Sequence, residues 1–140
     1  MKELTTIRHS SVHFSEVDSL GIVWHGNYVK YFEDAREQFG EDYGLGYLNM
    51  YSNGFVAPVV KFEVEYKKPL AFGEAFDVEI RYVPCMSAKL IFTYVLRKSA
   101  TGEIAATGTS VQAFVDLSYN LLLYAPDYVE QWREQHGVKM

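Results

Sequence analysis

The sequence predicts an α+β fold, with one antiparallel sheet packed on one long helix. Three observations point to it. Tyr28, Tyr31, Phe32, Ala35 and Phe39 fall at helical spacing and make one apolar face. The segments after that helix alternate apolar and polar residues with the period of two expected of strands. Short turns join those segments, which antiparallel pairing allows and a parallel crossover does not.

Each element follows from its residues. Residues 5–15 (TTIRHSSVHFS) mix β-branched and aromatic side chains in rough alternation and read as a first strand. An acid-bearing loop leads to the helix. Asn27 is expected to cap it, its side-chain oxygen accepting a free N–H of the first turn. Lys30, Glu33, Asp34, Glu37 and Gln38 lie off the apolar stripe, and Gly44 supplies the stop. Residues 45–54 read as a loop holding a helical turn. Residues 55–68 read as a strand, with Phe62, Val64 and Tyr66 opposed to Lys61, Glu63, Glu65 and Lys67; Pro58 puts its start at an edge or bend. After the turn at 69–74, residues 75–84 repeat the pattern, Phe76, Val78, Ile80 and Tyr82 facing one way. A turn from Pro84 to Ser87, a strand over 88–98 and a hairpin turn over 100–103 follow. Residues 104–117 read as a long strand with a bulge expected at Gly108. The run 121–124 is short and apolar. Pro126 opens a last helix in which Tyr128, Val129, Trp132 and Arg133 share a spacing, ended by Gly137.

Composition bounds the function. The 140 residues read as one domain, 1–140, with 49% apolar residues and enough mass for a core. Aromatic residues reach 16%, with 11 Tyr and 9 Phe, which favours strands and large packed faces. A net charge of −5 argues against a nucleic-acid binder, which needs a basic footprint. The single Cys85 excludes an internal disulfide and fits a reducing compartment. The N-terminus lacks a signal-peptide core and no run reaches membrane-span length, so the expected location is cytoplasmic.

Asp18 is the leading candidate for chemistry. It lies in a loop between a strand and a helix start. A helix N-terminus offers free N–H groups and partial positive charge, so His25, Gly26 and Asn27 form a possible oxyanion site. Gly26 would let a substrate approach the backbone. A nearby carboxylate could act as general base toward water or attack an acyl carbon itself. The plain alternative is a loop aspartate that bonds its own turn. His25 could donate to a carbonyl or hold water; a capping or surface role is its plain alternative. His9, His13 and His136 are scattered, and no HExxH or CxxC spacing supports a metal site. The serine-hydrolase elbow, phosphate-loop and dinucleotide glycine patterns are missing.

The run VHFSEVDSLGIVWHGNYVKYFEDAREQF resembles the hotdog-fold acyl-CoA thioesterases, in particular the 4-hydroxybenzoyl-CoA thioesterase and YbgC-like group. The matching elements are Asp18, Gly21, Val23, His25, Asn27 and Tyr28, with Glu33, Ala35 and Arg36 on the helix. VEYKKPLAFGE and SAKLIFTYVL resemble the group's later strands. The resemblance implies a sheet wrapped around one long central helix, and a homodimer pairing sheets edge to edge, often doubled to a tetramer. It also implies active sites at the dimer interface, with Asp18 as the catalytic carboxylate and a backbone N–H near His25 polarising the thioester carbonyl. Three residues or segments depart from the pattern. Glu16 stands where many members have Asp, and Phe14 stands near a position where Tyr is common. The cationic cluster some members use for nucleotide phosphates has no counterpart around Pro84 to Met86; Lys61, Lys67, Lys68, Arg81 and Lys89 are the available cations.

The expected activity is hydrolysis of an acyl-CoA to acid and CoA. Asp18 and His25 would be catalytic, and Gly26, Asn27 and Tyr28 would contact substrate. Coenzyme A is part of the substrate, and no separate cofactor or metal is expected. The alternatives are an acyl-carrier-protein thioesterase, a hotdog dehydratase and an acyl-thioester binding protein without turnover.

Overall fold

The computed structural model describes residues 3–139. Strand β1 (Thr5–Ser11) runs into a short 3-10 turn (Phe14–Glu16), the acid loop and helix α1 (Asn27–Tyr43). Helix α2 (Tyr47–Ser52) follows, then strands β2 (Phe55–Val56), β3 (Val59–Tyr66), β4 (Ala75–Val83), β5 (Lys89–Lys98), β6 (Ile104–Ala113) and β7 (Val115–Asp116). Helix α3 (Asp127–Gln135) comes last. Five strands form one antiparallel sheet in the order β1-β4-β5-β6-β3, with β1 and β3 at the edges; β2 pairs with β7 separately.

The core lies between α1 and one face of this sheet. All five residues of the apolar helix stripe are buried, as are Phe76, Val78, Ile80 and Tyr82 of β4 and Leu90, Phe92, Tyr94 and Leu96 of β5. Aromatic rings do much of the filling. Phe32 stacks on Tyr94 at 4.9 Å, Phe39 meets Phe92 edge-on at 5.0 Å, and Tyr31 packs on Phe76 at 4.5 Å between centroids.

Helix α3 closes the far end of α1. The Trp132 Nε1–H donates to the Tyr43 carbonyl at 2.6 Å, and the Tyr128 hydroxyl donates to the Gly44 carbonyl at 2.6 Å. These side chains satisfy carbonyls that a helix end leaves without intrahelical donors. Gly44 adopts the left-handed φ of 72° expected of the stop. Arg133 is buried. Its guanidinium donates to the Tyr82 hydroxyl at 3.1 Å, the Lys89 and Ser87 carbonyls at 2.8 and 3.3 Å, and the Glu130 carboxylate at 3.0 Å.

Several sequence expectations change. The stretch 55–68 breaks at Pro58 into β2 and β3, and 104–117 breaks after Ala113 into β6 and β7. Strand β1 stops at Ser11, because residues 14–16 turn to carry the acid loop. Gly108 is not a bulge: it pairs in register with Val64 and Tyr94, and the irregularities fall at Val59/Lys61 and Leu96/Arg97. Its reason is contact, since a Cβ there would stand 2.8 Å from the Phe32 ring. In the run 121–124, Leu121, Leu123 and Tyr124 are exposed. Among the described residues, no helix is long and apolar enough to cross a membrane.

Candidate active site

Residues 16–24 fold as a small antiparallel loop. Val17 bridges Val23, the Asp18 N–H donates to the Ile22 carbonyl at 2.9 Å, and the Trp24 N–H donates to the Glu16 carbonyl at 3.0 Å. Asp18 to Gly21 makes the tip, closed by the Gly21 N–H on the Asp18 carbonyl at 3.0 Å; Gly21 takes the positive φ that the turn requires. The loop is pinned beneath by the Val23 N–H on the Leu70 carbonyl at 2.8 Å. Asp18 is half-buried, and its Oδ1 accepts the Leu20 N–H at 2.8 Å. This is the turn bond of the plain reading. Among the described residues the other carboxylate oxygen has no protein donor.

Glu16, two residues earlier, is only 5% exposed. Its carboxylate accepts the His13 N–H at 2.8 Å, the Tyr31 hydroxyl at 2.9 Å and the Lys30 ammonium at 3.1 Å. Its carbonyl accepts the Asn27 amide Nδ2–H at 2.9 Å besides the Trp24 N–H. Burial alone would raise the Glu16 carboxyl, but the His13, Tyr31 and Lys30 donors outweigh it and hold the group below its ordinary value. Burial, then the bond to Glu16, pushes the Tyr31 hydroxyl well above the ordinary phenol range.

Helix α1 begins beside this loop. Gly26 occupies the cap position and Asn27 is the first helical residue, so Asn27 does not cap: its side chain reaches back to the Glu16 carbonyl instead. Among the described residues, the N–H groups of His25 and Gly26 have no protein acceptor. The His25 carbonyl accepts the Tyr66 hydroxyl at 3.0 Å, tying the helix start to the end of β3. Gly26 leaves room for the Trp24 indole, which lies where a Cβ would stand. The space expected for substrate is thus taken by Trp24. A cavity of about 250 Å³ adjoins the helix start, walled by Ile22, Val23, His25, Tyr28, Tyr66, Lys67, Lys68 and Pro69. The lysines pair at the surface with Glu65 at 3.0 Å and Glu103 at 3.6 Å.

A second cavity, about 580 Å³, lies between α1, α2 and the sheet, with Phe39, Leu45, Met50, Leu90 and Phe92 among its walls. Arg36 and Gln112 also line it; among the described residues, the Arg36 Nη1 and Gln112 Oε1 atoms are buried without partners. No group of three or more His, Cys, Asp or Glu side chains among the described residues could hold a metal ion.

Residues 12–133 match the family model described as the thioesterase-like superfamily. The chain belongs to that superfamily. Its sequence is 34% identical over 105 residues to a protein named as a putative acyl-CoA thioesterase, YneP, of Bacillus subtilis, covering 75% of each chain. It is 23% identical over 82 residues to the acyl-CoA thioester hydrolase YbgC of Escherichia coli, covering 59% of this chain and 61% of that one. The structure of a DHNA-CoA thioesterase from Staphylococcus aureus superposes with a TM-score of 0.83 at 25% identity, covering 95% of this chain and 91% of that one. The antiparallel sheet over one long helix is therefore the hotdog fold that the resemblance implied.

Within this superfamily member, His25, Gly26, Asn27 and Tyr28 share the helix start, and His25 and Tyr28 line its cavity. Asp18 stands on the outgoing wall of the adjoining loop, outside that lining. Sequence reasoning noted Glu16 as a departure and as an acid two residues from Asp18 that could share its site or diverge, and missed its role as the knot between loop and helix. An acid facing Tyr31 across a loop cannot be paired from spacing alone. The adjacency of Lys67 and Lys68 to the helix start was likewise hidden, because β3 reaches it through a long-range pairing. The capping of α1 by Tyr128 and Trp132 left no local signal either.

Proposed function

We propose that the protein hydrolyses an acyl-CoA thioester to a free acid and CoA, at the junction of the 18–25 loop and the start of α1. The observation that carries this is the pair of unpartnered N–H groups at His25 and Gly26, beside a cavity walled by His25, Tyr28 and two lysines. Such donors match the charge that develops on a thioester oxygen as the carbonyl carbon is attacked. Asp18 takes a proton from water as the water oxygen bonds to that carbon, or its own oxygen attacks and water then releases the acid. The C–S bond breaks and the proton ends on the CoA sulfur. His25 orients the carbonyl or the water. Gly26 meets the substrate through its N–H alone, Asn27 holds the loop through the Glu16 carbonyl, Tyr28 walls the cavity against which the acyl group rests, and Lys67 and Lys68 meet the nucleotide phosphates. No cofactor is required for this chemistry.

We further propose a homodimer. The edge of β3 has free hydrogen-bonding groups on one side. Antiparallel pairing of two β3 edges about their middles would set the start of one strand beside the end of the other. The larger cavity opens near the start of β3 at Ala57, and His25 sits at its end through Tyr66. Each helix start would then face the other copy's larger cavity, where Phe39, Leu45, Leu90 and Phe92 offer an apolar side for an acyl group beside the acids Glu33, Asp34, Glu37 and Glu41. A dimer of dimers and a cytoplasmic location, with its single reduced Cys85, complete this reading.

The test is thiol release from acetyl-, octanoyl-, palmitoyl-, isobutyryl- and benzoyl-CoA, with wild type beside Asp18→Asn. Turnover of one class, with the variant slower by at least about 100-fold, supports the assignment. A loss under about tenfold would remove Asp18 from the chemistry. The bond from the Leu20 N–H to Asp18 favours one other reading, a binding protein without turnover. Tight acyl-CoA binding with no thiol released would establish it, after carrier-protein thioesters have also failed.

A further inference from the structure

Glu16 is a buried acid at the candidate site, and the proposed reaction does not use it. Five hydrogen bonds converge on this one residue, three on its carboxylate and two on its carbonyl. Their donors come from both sides of the site. His13 precedes the loop, Trp24 ends it, and Asn27, Lys30 and Tyr31 belong to the first turns of α1. Lys30 and Tyr31 bracket the carboxylate from the helix, and Asn27 clasps the carbonyl on the same residue. The outgoing wall that carries Asp18 and the returning wall that ends at His25 thus share one anchor. No comparable bond ties Asp18 itself to the helix among the described residues.

We propose that Glu16 is a positioning residue for thioester hydrolysis: its buried carboxylate fixes the Asp18 loop against the helix start that carries the oxyanion N–H groups. The inference rests on the function proposed above. Loosening the anchor leaves every catalytic group present but lets their separation vary. A displacement on the order of 1 Å between reacting groups costs up to about 100-fold in rate. Substrate contacts made by Tyr66, Lys67 and Lys68 lie outside the anchored loop and helix start, so binding is retained.

The experiment compares wild type, Glu16→Gln, Tyr31→Phe, the double variant, Asp18→Asn and Arg133→Leu. The substrate is benzoyl-CoA, or whichever acyl-CoA of the panel turns over fastest. Assays are run at a temperature where circular dichroism shows every variant folded. Glu16→Gln is expected to lower kcat about 10- to 100-fold with KM within about threefold of wild type. Tyr31→Phe, which removes one of the three carboxylate donors, lowers kcat less. The double variant is no slower than Glu16→Gln alone, because both changes release the same anchor. Arg133→Leu, destabilised in the α3 network at the other end of α1, keeps wild-type kcat. If Glu16→Gln lowers only the melting temperature and leaves kcat intact, or if KM alone rises, the positioning role is overturned. If wild type fails to release thiol, or Asp18→Asn stays active, the underlying functional reading fails instead.

Discussion

The ring of Phe32 presses against the backbone of Gly108. A Cβ built on Gly108 would stand 2.8 Å from Phe32 Cε2 and 3.1 Å from the Glu63 carbonyl oxygen. One contact is with a ring stacked on Tyr94 and the other is with backbone, so neither neighbour can easily yield. Gly108→Ala should therefore destabilise the protein by about 1–3 kcal/mol through overpacking. Urea unfolding checks this; an unchanged midpoint would mean that α1 can lift off the sheet at no cost.

Arg133 places a guanidinium inside the protein with four acceptors around it. Arg133→Leu fills part of the volume but strands the Lys89 carbonyl and the Tyr82 hydroxyl. The expected loss is about 3 kcal/mol, in the range for removing one partner from a buried charged network. Chemical denaturation reads it directly, and Arg133→Lys should recover little, since an ammonium cannot span the same fork of acceptors.

Glu16 also gives stability a pH dependence. Its carboxyl is held below its ordinary value of 4.5, so the folded state binds its proton less readily than the unfolded chain. The resulting stabilisation is complete above that value and is lost as pH falls through the lower, folded one. The stability gap between wild type and Glu16→Gln should be widest near neutrality and narrow progressively below pH 4.5. Unfolding curves at a series of pH values test the sign; a gap that widens in acid would contradict it.

Among the described residues, Lys67 and Lys68 have only exposed carboxylate partners, which contribute little in water. They are free to exchange those partners for phosphates. Replacing both with Gln should raise KM for an acyl-CoA about tenfold, the equivalent of about 1.4 kcal/mol, and leave kcat within about twofold. The matching N-acetylcysteamine thioester, which has no nucleotide, should show no difference between the two proteins. A rise in KM for both substrates would place the lysines' effect on the acyl end instead.

The features legible in the sequence were those written in local periodicity. The stripe from Tyr28 to Phe39 and the alternation from Phe76 to Tyr82 both ended up buried, because a face of one element is a property of consecutive residues. Gly44 and Gly137 were readable for the same reason, each taking its positive φ at a helix end. What escaped was relational. Gly108 read as an interruption of a strand, yet its cause is a ring on an element far away in sequence. Asn27 looked like a cap until Glu16, across the loop, supplied a better partner for its amide. At the candidate site, the helix start and the free N–H groups of His25 and Gly26 were foreseen, whereas the Asn27 N–H on the Trp24 carbonyl at 2.9 Å, the indole of Trp24 over Gly26 and the lysines beside Tyr28 depend on packing that no spacing rule encodes.

The bonds from Tyr128 and Trp132 to the end of α1 span 84 and 89 positions of sequence. A nascent chain emerging from the ribosome therefore makes its central helix long before it makes the donors that finish it. Until α3 has been synthesised, the Tyr43 and Gly44 carbonyls must rely on water, and the last turn of α1 frays. Docking of α3 is then a late, long-range step. A chain released by a stop codon before residue 127 would keep all five strands of the main sheet and still lack that lock. Such a product would present an open core to proteases.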